Sequence, residues 1–412
     1  MQPVDYIALA IPVFFALIGI EILVARIQGE RLYRLNDSLA DLATGILQQV
    51  FGLFTKVVVV GVYAWIWQEG RLATVPSTLT AWVLCFLGVD FFYYWFHRVS
   101  HESSLPWGAH IVHHSSEEYN LAVALRQGTF QPLFSFLFYL PLAWIGFPPL
   151  MFLACVSANT LYQFWIHTRT IGKLGPLEGV LNTPSHHRVH HGCDAKYIDR
   201  NYAGVFIVWD RFFGTFQAEQ EEPTYGITKP LRSWNPVWAN LHHYADLAGK
   251  SRRAPSLLEA AKLWWKPPGW KPAWAGEGWA RETGPTPLSH GEAGKYDALP
   301  PRPLAAYAVL HFVVAILVTV GLLFLQGSLS GGERLTLAAW VVASLVVIGG
   351  IFDRRRWVVP AELTRLALTW ATALWLVAHY APEQTGWVAG LGSLAAGASA
   401  AWLLRGREQS IP

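Results

Sequence analysis

Charge is scarce in this chain. Only 14% of its 412 residues are Asp, Glu, Lys or Arg, and the formal net charge is +3. A soluble domain carries about 25% charged residues, so the composition argues against a wholly soluble chain. A balance this near neutral also leaves no broad nucleic-acid footprint. Cysteine is scarce too: three residues and no CxxC, hence no disulfide framework. Cys85 and Cys155 lie in apolar runs and read as small buried hydrophobes, while Cys193 follows a histidine cluster. The N-terminus lacks the basic stretch of a cleavable signal peptide, so the first apolar run reads as a retained span. No internal repeat with matching motifs is found.

Apolar residues, by contrast, make up 53% of the chain, with 21 Trp, 22 Phe and 15 Tyr. Many aromatic rings are expected where side chains line two membrane interfaces. Runs near Ile7–Ala25, Leu42–Trp67 (with Lys56 inside) and Leu79–Phe96 approach the roughly 20 residues that cross a hydrocarbon core. Phe130–Ile166 is broken by Gly146, Pro148 and Pro149 and reads as a hairpin that returns to its own side. Four more runs follow: Leu304–Leu325, Leu335–Ile351, Leu363–Ala381 and Trp387–Leu404. Between them, His167–Arg302 is more polar, and Lys266–Pro303 is the best linker candidate.

Arginine sets the orientation. Arg26, Arg31 and Arg34, then Arg354, Arg355 and Arg356, then Arg405 and Arg407 all fall on one side, leaving Arg71 and Arg334 in the opposite loops. The positive-inside rule makes the richer side cytosolic. Every histidine cluster falls on that side.

Those clusters carry the chemistry. Fifteen histidines scattered by composition would give about 0.7 per eighteen-residue window. The window His97–His114 holds five: His97, His101, His110, His113 and His114. The window His186–His191 holds four of its six residues. The spacings are HxxxH at 97/101 and HxxHH at 110/113/114 and 187/190/191. On a helix, residues three and four apart share a face, so each box aims its imidazoles at one point. The eight rings, His97, His101, His110, His113, His114, His187, His190 and His191, exceed the four ligands of one zinc and suit two metals. By ligand type alone iron, copper, zinc and nickel all fit. His167, at the same end of the hairpin, is the expected ninth ligand. His186 points elsewhere on a helix and reads as a supporting or surface residue. His242 and His243 read as interfacial, and His290, His311 and His379 as isolated.

Ligating histidines need partners for their second ring nitrogen. Asp90, Glu102, Glu117, Glu118, Asp194, Asp199 and Asp210 lie near the boxes in sequence. Asp90 stands out: it sits two helical turns before His97, inside an apolar run, where a charge is costly and functional by default. Arg126, Arg169 and Arg188 are candidates to meet a polar head group or cofactor, and Arg188 lies within a box. Asp90 and Arg188 are therefore the candidate catalytic residues. Trp95, Trp107, Tyr119, Trp165 and Trp209 are candidates for the lipid interface or access path.

The runs YYWFHRVSHE (Tyr93–Glu102), HIVHHSSEEYNLAVALRQ (His110–Gln127), LYQFWIHT (Leu161–Thr168), LGPLEGVLNTPSHHRVHHG (Leu174–Gly192) and NYAGVFIVWDRFFGTF (Asn201–Phe216) resemble the fatty acid hydroxylase and sterol desaturase superfamily. The likeness is strong over about residues 85–230, and it is closer to a branch acting on ether lipids. It implies a centre of two iron ions on the eight box histidines, with O₂ as oxidant. It further implies a reduced pterin such as tetrahydrobiopterin, or another reduced electron donor. The implied reaction hydroxylates the carbon beside the ether oxygen of an O-alkyl glycerol, giving a fatty aldehyde and a glycerol product.

The expectation is thus an all-α, multi-span integral membrane protein with a cytosolic helical cap carrying a histidine-rich two-metal site. Residues 1–302 form the hydroxylase-like domain and residues 303–412 a C-terminal transmembrane bundle. The partners are a bilayer lipid, O₂ and a reductant, in a bacterial inner membrane or the endoplasmic reticulum. Rival readings are fatty acyl or sterol hydroxylation or desaturation, a zinc-dependent lipid hydrolase, and a transporter. Transporters place their sites near the bilayer midplane, whereas these histidines gather at one end of the spans.

Overall fold

The computed structural model describes residues 6–276, 279 and 294–408. Among these, every regular element is a helix; only isolated bridges, Leu181 to Phe206 and Gly192 to Tyr225, are β-like. The chain divides into one unit of Met1–Leu231 with Ala239–Lys295, and a second of Arg232–Trp238 with Tyr296–Pro412. His290 and the terminal Ser410, Ile411 and Pro412 lie outside the described residues.

Three long helices open the first unit: α1 (Tyr6–Gln28), α2 (Leu35–Glu69) and α3 (Leu79–Glu102). At 1.5 Å per residue α2 is about 52 Å long and α3 about 36 Å. Both exceed a hydrocarbon core of about 30 Å. The surplus of α2 is its polar start, where Asn36, Asp37, Asp41 and Thr44 are buried against protein. The surplus of α3 is its last two turns, which carry His97 and His101. Thr78 caps the other end of α3, its hydroxyl accepting from Ala81 N at 3.3 Å.

Next come α4 (Ser104–His114), α5 (Leu121–Ala124), α6 (Gln131–Ile145) and α7 (Pro149–Trp165). The expected hairpin is α6 and α7. Gly146 ends α6 at φ +119°, a conformation that glycine adopts without strain. Pro149 opens α7, where a missing N–H costs nothing. Fifteen residues make α6 only about 22 Å long, too short to cross. The pair packs on α2 and α3 through Tyr63, Cys85, Val89, Leu142 and Met151, with Tyr63 stacked on Phe152 at 4.1 Å. Cys85 and Cys155 are buried there, as expected. The unit continues through α8 (Pro184–His190), α9 (Val208–Phe213), α10 (Pro236–Ser251) from Ala239 onward, and α11 (Leu257–Trp265).

The second unit holds α12 (Arg302–Leu325), α13 (Gly331–Phe352), α14 (Val358–Tyr380) and α15 (Thr385–Glu408). A reciprocal cap, Ser330 with Glu333, starts α13. The Asp353 carboxylate accepts from Ser233 Oγ (2.7 Å), Trp234 N (2.9 Å) and Tyr296 Oη (3.0 Å), which gathers residues 232–238 into this unit. Among the described residues, six helices are long and apolar enough to cross a membrane: α1, α2, α3, α12, α13 and α15. The protein is a multi-pass membrane protein. α14, counted from sequence as a further span, is not among the six. It carries the buried pair Glu362–Arg365, with Arg365 Nε 2.6 Å from Glu362 Oε2, and Arg365 Nη2 donates to His311 Nδ1 at 3.0 Å.

One close approach holds the loop before α6 onto α4. A Cβ at Gly128 would lie 1.8 Å from the Ala109 carbonyl oxygen. Gly128→Ala is therefore expected to cost about 1–3 kcal/mol. The check is thermal unfolding of the purified protein, where the midpoint falls by several degrees; an unchanged midpoint contradicts the close approach.

Candidate metal centre

Nine buried histidines form two adjoining clusters. His97, His101, His110, His114 and His190 make one; His113, His167, His187 and His191 make the other. In each cluster the candidate ligand atoms all lie within 4.8 Å of one another. The clusters touch: His114 stacks on His191 with ring centroids 4.4 Å apart. α3 supplies two rings and α4 three, while α8 with its C-terminal cap supplies three. His167 comes from the loop just after α7. The rings of α3 stay together, but the other two boxes divide between the clusters: His113 parts from His110 and His114, and His190 from His187 and His191.

The outer nitrogens fix the tautomers. Nδ1 of His97 donates to the Tyr202 carbonyl (2.7 Å), that of His113 to Arg126 O (2.8 Å), that of His167 to Gln163 O (2.7 Å) and that of His190 to Arg200 O (2.9 Å). His110 Nδ1 donates to Gln131 Oε1 at 2.9 Å. A carbonyl only accepts, so these rings carry their proton on Nδ1 and turn bare Nε2 lone pairs inward. His97 Nε2 then faces His110 Nε2 at 2.9 Å, and His167 Nε2 faces His113 Nε2 at 3.2 Å. His187 Nε2 approaches His167 Nε2 at 3.0 Å. Nε2 of His101, His190 and His191 is buried without a partner among the described residues.

Opposed lone pairs at this range repel unless a cation sits between them. Two nitrogens each roughly 2.1 Å from one ion, at right angles, are about 3.0 Å apart. The observed 2.9–3.2 Å therefore fits metal coordination.

Burial keeps the rings neutral, as ligation requires. It pushes His110 and His167 down to about 4 and His190 down to about 3. His113, His114, His187 and His191 are held well below the usual range by burial, reinforced by neighbouring imidazoles.

The supporting carboxylates differ from expectation. Among the seven considered from sequence, only Asp199 approaches a clustered imidazole, with Oδ1 3.4 Å from His101 Nδ1. Asp90 is fully buried, but it accepts from Val205 N (2.7 Å), Phe206 N (3.0 Å), Trp209 Nε1 (2.9 Å) and Asn159 Nδ2 (2.7 Å). It anchors the loop after Tyr202, whose carbonyl orients His97. Two turns of helix put it too far along α3 to reach the rings. Arg188 is likewise saturated. It grips Glu219 with Nε (2.6 Å) and Nη2 (2.7 Å), and donates from Nη1 to Thr168 O (3.0 Å) and Ile171 O (2.8 Å). The contacts of both side chains are with loop backbone and with Trp209, Asn159 and Glu219, not with a clustered ring.

Arg126 is buried and bonded to protein. Its Nη1 meets Asp41 Oδ1 at 3.1 Å, Nε donates to Val112 O at 2.6 Å, and Nη2 donates to Ser115 Oγ at 2.7 Å. With its own carbonyl on His113, Arg126 links α2 to the four-histidine cluster. The sequence offered one signal for this link: Asp37 and Asp41, one turn apart beside an apolar run. Arg169 pairs with Glu222. His186 is buried off the clusters, 3.9 Å from Glu178. His243 bonds Ser104 O at 3.1 Å and His242 bonds Ala239 O at 2.9 Å, so neither joins them. Of the aromatic candidates, Trp107 reaches the centre (4.8 Å from His101) and so does Tyr119 (5.2 Å from His191). Trp209 serves Asp90, Trp95 packs on Phe213, and Trp165 packs on Tyr162.

A helical membrane chain with clustered histidines at the ends of its spans is the architecture of a membrane-bound lipid hydroxylase, and the family model for fatty acid hydroxylases matches residues 82–215. The chain is 39% identical to alkylglycerol monooxygenase of Xenopus tropicalis over 352 residues, 85% of this chain and 78% of that one. It is 38% identical to alkylglycerol monooxygenase of Homo sapiens over 353 residues, again 85% and 78%. Ornithine lipid hydroxylase OlsE of Rhizobium tropici is 30% identical over 135 residues, 32% of this chain and 41% of that one. No solved structure matches. The chain belongs to the alkylglycerol monooxygenase family, and it is an oxygen-dependent oxidoreductase acting as a lipid monooxygenase.

Two outcomes follow from the geometry. Asp41→Asn takes the bonded carboxylate from the buried Arg126 and leaves it only the less direct pull of Asp37, which costs about 1–3 kcal/mol. The check is denaturant unfolding beside Asp37→Asn; equal, small losses in both would remove the special role of the pair. The second concerns pH. The folded rings titrate far below the usual histidine value of 6.5, so below 6.5 the unfolded chain binds more protons. Stability is level above 6.5 and declines as pH falls toward about 4. A thermal midpoint that rises between pH 6.5 and 5 contradicts the neutral rings.

Proposed function

We propose that the nine histidines hold two iron ions and that the chain hydroxylates an O-alkyl glycerol at the carbon beside its ether oxygen. The hemiacetal so formed breaks into a fatty aldehyde and a glycerol product. The second oxygen atom of O₂ leaves as water, with two electrons from a reduced pterin such as tetrahydrobiopterin. The observation that carries this reading is the pair of five- and four-histidine clusters, in a chain similar to alkylglycerol monooxygenases over 85% of its length.

When bound, the irons supply O₂ activation and insertion of one oxygen atom into a C–H bond. The protein's own residues do the rest. The carbonyls of Tyr202, Arg126, Gln163 and Arg200 orient four rings, and Gln131 a fifth. Asp90 and Arg188 hold the loops that supply those carbonyls and His167. Trp107 and Tyr119 wall the two clusters and keep water from the reacting carbon. The arginine distribution supports placing the clusters on the cytosolic side, of a bacterial inner membrane or the endoplasmic reticulum.

A second reading stays within the superfamily. Similarity to ornithine lipid hydroxylase and to lathosterol oxidase of Homo sapiens over the histidine segment favours hydroxylation of another lipid. Product analysis separates the two. Purified protein is assayed for metal and for aerobic turnover of an alkylglycerol with reduced pterin, beside His113→Ala. We expect about two irons per chain and aldehyde that needs O₂, and at least a hundredfold loss in the variant. Iron without aldehyde moves the search to other lipids. Zinc with O₂-independent turnover overturns the oxygenase reading.

A further inference from the structure

Outside the metal centre, α11 is apolar on two opposite faces. Its inner face buries Leu263 against Leu247 and Trp279. Its outer face places Leu257, Ala261 and Trp265 at i, i+4 and i+8, with Leu258 beside them. Leu257 is 91% exposed, Leu258 67% and Trp265 66%. A contiguous exposed stripe of this kind marks an interaction surface. The helix is nine residues long, about 13 Å, too short to cross a hydrocarbon core.

Exposed cations stand at both ends of the stripe: Arg252 before it, Lys266 and Lys271 after it. The one acid of the helix, Glu259, is turned inward to Lys262 (2.5 Å) and Trp274 Nε1 (2.9 Å). Cations framing Leu and Trp on a short helix suit one partner chemistry, acyl chains beneath anionic head groups. The helix is also tied to the metal centre. Ser104 N donates to Lys266 O at 3.0 Å, joining the end of α11 to the first residue of α4. Tyr244 Oη donates to Leu105 O at 3.1 Å and His243 Nε2 to Ser104 O at 3.1 Å. α4 carries His110, His113 and His114.

We infer that α11 is a surface-docking helix: its stripe of Leu257, Leu258, Ala261 and Trp265 sits in an anionic leaflet and sets the height of α4, and so of the histidine clusters, above the lipid. This inference does not depend on which lipid is the substrate.

The test uses the full chain as Leu258→Cys in a Cys193→Ser background, with a polarity-sensitive fluorophore on residue 258. It is placed in nanodiscs of phosphatidylcholine alone and in nanodiscs with about one-third phosphatidylglycerol. The expected result is blue-shifted emission, shielded at least threefold from an aqueous quencher, in the anionic discs. The shielding should weaken as salt rises, and in Arg252→Glu/Lys266→Glu/Lys271→Glu with metal content unchanged. A probe equally open to quencher in both discs overturns the docking. Equal shielding in both overturns the anionic partner. Shielding in lipid-free detergent that grows with protein concentration assigns the stripe to a second copy and overturns the inference.

Discussion

Lone-pair crowding is the constraint on which the rest of this structure depends. Nine imidazoles, neutral because they are buried, turn nitrogens toward two points, with neighbouring Nε2 atoms only 2.9–3.2 Å apart. Water cannot relieve the repulsion in so tight a space, and protons are disfavoured by burial. Cations relieve it. Each carbonyl that takes an Nδ1 proton strengthens the demand, since it removes the tautomer that could have donated across the gap. The polypeptide around the clusters is therefore best understood as a frame that holds acceptors to the outside of the rings.

That frame explains the buried charges. Asp90 gathers two backbone N–H groups and an indole on one carboxylate, fixing the loop whose Tyr202 carbonyl meets His97. Asp41 neutralises Arg126, which can then lie buried with its carbonyl on His113. Arg188 bonds Glu219 and two carbonyls at the foot of the loop that carries His167. None of the three touches a clustered ring with its side chain. Each acts through backbone, the group best placed to hold a ring without competing for its metal.

Helix length does the complementary work. α2 and α3 are longer than a bilayer's hydrocarbon core needs, and the excess at one end of each is polar or histidine-bearing. The α6–α7 hairpin is too short to cross and delivers Gln131, Gln163 and His167 to the same end.

Much of this was legible in the sequence. Long apolar runs, the hairpin break at Gly146–Pro149 and the eight box histidines are local patterns, set by the bilayer's thickness and the helix repeat, and they need no tertiary information. His167 was reachable because the hairpin returned it to the boxes. The sorting of rings into sets of five and four was not legible, because two of the three boxes feed both clusters and only packing decides which neighbour a ring meets. Nor were the outer acceptors, since four are backbone carbonyls that carry no sequence signature. Asp90 and Arg188 stood out in the sequence as charges beside or within the boxes. Tertiary structure alone gave their contacts, loop N–H groups for Asp90 and Glu219 with two carbonyls for Arg188, because a side chain's partner depends on what folds against it and not on its neighbours along the chain.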